Sequence, residues 1–258
     1  MIFAIWQPRA ASTHLLAQEC GTILGEKTTH TGTLDPMAEG VVVLATGEDR
    51  YIKGSLSDWK KTYVFSILWG IQTDSGDQLG LITNVATPEL HRIHIESIIA
   101  EFPQQYLQEI PAFSARRYAG SSSFELSKQG AVLTRKHRLV NISGLEILKT
   151  YEISLENVVQ EQARAVSQVH GNFRQAEVQT DWKKLVKVTE QKNRKFFITE
   201  CRVTTSPGTY IRQLVQDLAQ KMDIPATTWS ITRIQNGPFT KEDCIEIDEL
   251  SELQPTVM

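Results

Sequence analysis

Three short stretches of this sequence concentrate residue types that could do chemistry. They are His30-Thr31-Gly32-Thr33-Leu34-Asp35-Pro36-Met37-Ala38-Glu39-Gly40, then Lys61-Thr62-Tyr63, then Ser206-Pro207-Gly208-Thr209-Tyr210-Ile211-Arg212. The first sets one carboxylate among two glycines and a proline, in a turn that leads straight into the apolar residues 41–45. A turn feeding a strand holds its side chains at fixed points on a rigid element, which suits a catalytic group. Asp35 precedes a proline and is pushed toward extended backbone, while Gly32 and Gly40 allow dihedrals or close approaches that a side chain forbids. An ordinary Asp-Pro turn would look the same. Arg212 lies beside the apolar stripe Ile211, Leu214, Val215, Leu218 and Met222 of a helix expected to open at Gly208-Thr209. A partly buried guanidinium there calls for a carboxylate, whereas a surface arginine would only pack its stem.

Other chemistries find less support. Asp74, Gly76, Asp77 and Gly80 form a polar loop without the twelfth-position glutamate of an EF-hand, so a hydrogen-bonded turn is expected. Residues 21–28 miss both the lysine and the spacing of a phosphate loop. Cys20, Cys201 and Cys244 are far apart, odd in number and set among apolar residues, which predicts buried reduced thiols. A net charge of −3 and a pI near 6.1 exclude a strongly basic coat, so any nucleic-acid surface must be local. Basic residues gather at Arg116, Arg117, Lys128, Arg135, Lys136, His137 and Arg138, either as a solvated face or as an anion site. No apolar run approaches the roughly 20 residues that span a bilayer, and no signal peptide opens the chain, so a soluble, cytoplasmic protein is expected.

The elements that must position these residues are readable in part. With 258 residues, 41% of them hydrophobic, the chain can bury a full core. Strands are expected at residues 1–6, 41–45, 62–69 and 196–205. Helices are expected after Ser12 or Thr13, over 88–102, over 124–129 and from Gly208, with 108–118 extended. Residues 155–195 are polar and weakly periodic, and end in the basic tract Lys183, Lys184, Lys187, Lys192, Arg194 and Lys195. Strands and helices mix without strict βαβ alternation, which points to an α+β fold on a mixed, largely antiparallel sheet flanked by helices.

Taken in order, the motifs resemble the TruB family of tRNA pseudouridine synthases. They are the 30–40 stretch, Lys61-Thr62-Tyr63, Leu68-Trp69-Gly70 with Thr73, Asp74 and Asp77, then Gly208 to Arg212, and Ile231-Thr232-Arg233-Ile234-Gln235-Asn236-Gly237-Pro238-Phe239. The similarity covers most of residues 12–155 and 196–250. It implies isomerisation of uridine 55 in the TΨC loop, on a tRNA T-arm bound by a monomer that needs no protein partner. Making pseudouridine breaks the N1–C1′ bond, turns the uracil and joins C5 to the same sugar. Nothing enters from outside, so neither metal nor cofactor is called for. By this resemblance Asp35 is the nucleophile, and Arg212 pairs with it to keep it charged and aimed. Tyr63 would receive the extruded base, and its hydroxyl would take the C5 proton. His30 would wedge into the opened loop, while Tyr210 and Ile231 would line the base pocket. Arg117 follows Pro111-Ala112-Phe113-Ser114-Ala115 where the family carries a lysine; it and Lys128 would meet the RNA.

The sequence also departs from the family. Its opening Lys-Pro-x-Gly-x-Thr-Ser stands here as Gln7-Pro8-Arg9-Ala10-Ala11-Ser12-Thr13, and Thr29 replaces the glycine before the histidine. A single catalytic domain is expected over 1–258, with an RNA-contacting insertion at 81–155 and an unassigned polar and basic insertion at 156–195. No C-terminal RNA-binding (PUA) domain is expected after Asp248-Glu249-Leu250, so tRNA binding should be weaker, with the Lys183 to Lys195 tract compensating in part. Two rivals stand beside this reading. One is a pseudouridine synthase directed at another RNA, and the other is an RNA-binding or RNA-folding protein of the same fold without activity. A glycoside or nucleoside hydrolase would need a second carboxylate beside Asp35, and nothing in the sequence places Asp74 or Asp77 there.

Overall fold

β-Branched and aromatic runs become strands, and the longest of them lie side by side. The computed structural model describes residues 1–87, 92–111, 113, 117–118, 121–122, 136–188 and 194–253. Among these, one sheet follows the order β1 (Ile2–Gln7), β3 (Ala38–Thr46), β12 (Ala226–Asn236), β4 (Lys61–Trp69), β11 (Lys195–Thr205), β10 (His137–Ser154) and β7 (Gln105–Glu109). β2 (Thr28–His30) joins β3, and β13 (Phe239–Thr240) joins β12. β3 and β12 run parallel, while the other neighbours in this sheet are antiparallel. Two short ladders stand apart, β5 (Ile71–Thr73) with β6 (Ile82–Val85), and β8 (Arg117–Tyr118) with β9 (Ser121–Ser122). This is the α+β fold on a mixed, largely antiparallel sheet that the order of elements predicts.

Helices cover both faces. α1 (Thr13–Leu24) begins where the Ser12 hydroxyl accepts from the Leu15 N–H, and ends at Gly25 in the left-handed region. α2 (Lys53–Ser57) is short, and α3 (Arg92–Ala100) is the described part of the helix expected over 88–102. Then come α4 (Leu155–Ser167), α5 (Gln175–Val188) and α6 (Ile211–Met222). Ala17 and Cys20 of α1, Ile95 and Ile99 of α3, and Leu214 and Leu218 of α6 close over Phe3, Val42, Leu44, Phe65 and Ile67 of the sheet. α6 starts at Ile211 with Tyr210 as its N-cap, later than expected, because Gly208 (φ +77°) and Thr209 are spent on the preceding turn. No helix is long and apolar enough to cross a membrane among the described residues.

Residues 155–195, which the sequence leaves unassigned, hold two helices and the start of β11 among the described residues. Val158 and Val159 of α4 and Val178 and Trp182 of α5 pack on Leu68, Phe196, Ile198 and Trp229. The stripe is hard to see in sequence because Gln162, fully buried on α4, interrupts it. The basic tract is partly engaged. Lys184 lies 3.4 Å from Asp181, Lys195 pairs with Glu152, and Arg194 sits over the Phe196 ring. Residues 189–193 and the helix expected at 124–129 fall outside the described residues. The stretch 81–155 supplies β7 and β10 to the central sheet. Cys20 and Cys201 are buried free thiols, whereas Cys244 is only half-buried.

Candidate active site

Asp35 sits in a turn that is tied down on every side. The Ala10 N–H donates to the Pro36 carbonyl at 2.8 Å, and the Leu34 N–H donates to the Thr13 hydroxyl at 3.0 Å. The Arg233 side chain, buried on β12, brackets the turn. Its Nη2 donates to the Gly32 carbonyl at 3.1 Å and its Nε to the Val41 carbonyl at 2.7 Å. Gly40 completes the fastening, since it lies in parallel register with Arg233 at φ +129° and a Cβ there would overlap the Arg233 backbone. The turn therefore enters β3 in one fixed geometry.

Arg212 meets Asp35 from the first turn of α6. Its Nε donates to Oδ2 at 2.7 Å and its Nη2 to Oδ1 at 3.0 Å, a two-pronged pair. The guanidinium is 4% exposed, while the Asp35 side chain keeps 35% of its surface open. Its remaining donors reach main-chain oxygens, Nη1 to Ser75 and Nη2 also to Phe113, each at 2.7 Å. A second carboxylate stands behind it, with Asp77 Oδ2 3.6 Å from Arg212 Nε. Burial alone would lower the Arg212 pKa, but Asp35 and Asp77 outweigh it and raise the pKa above its ordinary value. Burial pushes the Asp77 carboxyl up, against the opposing pull of Arg212 and a Ser75 hydrogen bond of 2.6 Å. Arg212 thus stays charged, with its open carboxylate partner facing the cleft.

Around Asp35 the chain leaves a cleft of about 390 Å³, lined by Tyr63, Tyr210 and Ile231 as well as Lys61, Arg138 and Arg233. Strand register explains the grouping. Tyr63 on β4 lies opposite Arg233 on β12, and Ile231 lies two residues back on the same face. Tyr210 is clamped by Gln108 of β7, which accepts from its N–H at 2.8 Å and donates to its carbonyl at 3.1 Å. On the other side of Asp35 is a second cavity of about 870 Å³, and it is this one that His30 lines, together with Arg212, Asp77 and Phe113. The His30 Nδ1 is buried and finds no hydrogen-bond partner among the described residues. Burial, helped by Lys53, His14 and Arg233, lowers its pKa to about 4, so the ring is neutral near pH 7. The structure thus gathers Asp35, Tyr63, Tyr210 and Ile231 in one cleft, joins Arg212 to Asp35 directly, and sets His30 around the corner. Arg117 lies in β8 and its side chain is not described; Lys128 lies outside the described residues.

Three site residues stand in motifs that the sequence offers, but without a role assigned to them there. Asp77 was expected in a local turn, which it makes by accepting from the Leu79 N–H, but it also stands across Arg212 from Asp35. Lys61 and Arg233 are buried cations on apolar strand faces, and that break in the pattern is the signal that could have found them. Lys61 donates to the Ser57 and Trp59 carbonyls at 2.9 and 2.7 Å, and burial followed by the nearby Arg233 lowers its pKa to about 8. Among the described residues no cluster of three or more His, Cys, Asp or Glu could hold a metal ion.

Known proteins resemble this one in sequence and fold. A profile described as TruB family pseudouridylate synthase (N terminal domain) matches residues 22–164. A tRNA pseudouridine synthase B from Francisella philomiragia is 31% identical over 230 residues, 88% of this chain and 62% of the relative. Another of that name from Francisella tularensis subsp. novicida is 30% identical over the same shares. The chain thus spans less than two thirds of the length of these curated relatives. A chain from a Cbf5-Nop10-Gar1 complex superposes with a TM-score of 0.60 at 18% identity, over 97% of this chain and 53% of that one. A chain from an H/ACA RNP bound to a substrate RNA containing 2′-deoxyuridine gives 0.57 at 17%, over 97% and 52%. Both likenesses are of fold.

Proposed function

This chain belongs to the TruB family of pseudouridylate synthases, and from that membership we propose that it converts uridine 55 in the TΨC loop of tRNA to pseudouridine, with Asp35 as the nucleophile. The observation that carries the reading is the two-pronged Asp35–Arg212 pair on the wall of a cleft lined by Tyr63, Tyr210 and Ile231. The reaction needs an ionised carboxylate beside an apolar and aromatic pocket that can take a base out of its stack. Asp35 attacks C1′ or the base as the N1–C1′ bond breaks. The uracil turns between Tyr63, Tyr210 and Ile231, and C5 joins the same sugar carbon as the bond to Asp35 breaks and frees its carboxylate. The C5 proton leaves to the Tyr63 hydroxyl and N1 takes up a proton, so the change is an isomerisation with nothing added or lost. Arg212 fixes the carboxylate through both oxygens.

Outside the cleft, His30 enters the opened loop as a neutral ring, and Arg117 and Lys128 meet the RNA backbone, where phosphate contacts give affinity and splayed bases give choice. The protein works in the cytoplasm as a monomer. Asp77 does not make a hydrolase pair with Asp35, because it is buried and engaged by Ser75, Leu79 and Arg212. The target is tested by incubating the protein with unmodified tRNA transcript and mapping pseudouridine by carbodiimide primer extension. A single stop at uridine 55 is expected. A stop elsewhere moves the target, and none in any RNA overturns the reading.

A further inference from the structure

α4 and α5 form a helical hairpin whose outer position hides how closely it touches the site. It grips the loop of residues 74–82 at four points. Arg174, in the connecting turn, pairs with Asp74 through Nη1 to Oδ2 at 2.9 Å and Nη2 to Oδ1 at 3.2 Å. Gln162 Nε2 donates to the Gln78 carbonyl at 3.0 Å, and Trp182 Nε1 donates to the Gly80 carbonyl at 3.1 Å. Asp181 Oδ2 accepts from the Ile82 N–H at 2.9 Å. The inner side of this same loop offers Arg212 the Ser75 carbonyl and Asp77. The Arg174 guanidinium also lies 5.0 Å from the ring of Phe113, whose carbonyl is another Arg212 acceptor. The hairpin reaches the Asp35 turn as well, since Met37 packs with Leu79, Val166 and Val169.

One further feature sets Arg174 apart. Its φ is +60°, a left-handed conformation that favours glycine and is uncommon for a long side chain. The turn keeps an arginine in a strained place, and that arginine faces Asp74 and Phe113.

We propose that Arg174 is a positioning residue for the reaction: the hairpin holds the 74–82 loop and Phe113 so that Arg212 presents Asp35 in its reactive geometry. The inference rests on the reading of Asp35 and Arg212 as the reacting pair. It makes the α4–α5 hairpin a working part of the site.

The test follows tritium release from tRNA labelled at uridine C5, for wild type, Arg174→Gly, Arg174→Lys, Asp74→Asn and the Arg174→Gly/Asp74→Asn double variant. Glycine suits the φ of +60°, so Arg174→Gly should melt no lower than wild type while removing the ion pair. Its kcat should fall about tenfold, in the range that remote members of a coupled network produce. KM for tRNA should stay within about twofold, because nothing that binds RNA has changed. Arg174→Lys should recover most of kcat, Asp74→Asn should match Arg174→Gly, and the double variant should be no worse than either. Hydrogen exchange of the 74–82 amides should quicken in Arg174→Gly, a readout independent of turnover. An unchanged kcat with a folded Arg174→Gly overturns the inference. So does a loss in KM alone, which would make Arg174 an RNA contact. Absence of release from wild type would instead refute the reading of the site, and unaltered loop exchange would then refute the positioning as well.

Discussion

Asp35 and Arg212 divide the work of one charge pair unequally. The arginine is buried and fully engaged, so its neighbours decide its place, while the carboxylate stays open to a ligand. Removing the partner of a buried charge leaves that charge uncompensated. Loss of Arg212 would strand Asp77 and confuse unfolding with lost chemistry, which makes Asp35 the better residue to change. His30 offers a test by pH. Its folded pKa of about 4 lies below the ordinary 6.5, so between those values the unfolded chain binds a proton that the folded chain does not. Stability from this group is therefore complete above pH 6.5 and is lost as pH falls toward 4. NMR titration should find His30 neutral down to about pH 5; a midpoint near 6.5 would contradict its buried place. Asp35 and Arg212 were legible because each stands in a glycine-flanked motif. Lys61 and Arg233 also stand in motifs, but their part in holding the site was not legible, since their donors end on main-chain carbonyls.

Elements with a clean period could be read, and those whose stripe is broken by polar residues could not. β4 fell where its β-branched run put it, and α6 carries the expected apolar stripe but starts at Ile211, not at Gly208. α4 was not legible, because its inner face includes Gln162, which spends its amide on the Gln78 carbonyl instead of packing in grease. Nor does any sequence pattern reveal that β3 and β12 run parallel, although this pairing sets Gly40 against Arg233 and so orients the Asp35 turn. Gly40→Ala tests that contact. An L residue at φ +129° is strained and its Cβ would overlap backbone that cannot swing away, so the loss should be roughly 3 kcal/mol or more. The denaturant midpoint would report it, and an unchanged midpoint would mean that the close approach does not hold the turn.

The proposed function asks a chain of net charge −3 to bind RNA through a local basic surface. The Lys183 to Lys195 tract is expected to help, and in it Lys184, Arg194 and Lys195 make exposed or ring-stacked contacts within the fold. Arg138 is better placed, since it is exposed, lines the cleft and lies against Gly208. Arg138→Ala should weaken tRNA binding and lower the slope of log affinity against log salt by about one, as loss of one phosphate contact does. An unchanged slope would remove Arg138 from the RNA surface. Asp35 as the nucleophile of an isomerase is tested most directly by tritium release from tRNA labelled at uridine C5. Wild type should release about one tritium per tRNA, and Asp35→Asn, which keeps shape but not charge, should release none while still binding. Release that survives Asp35→Asn would contradict the mechanism, and no release by a wild-type protein that binds tRNA would contradict the function.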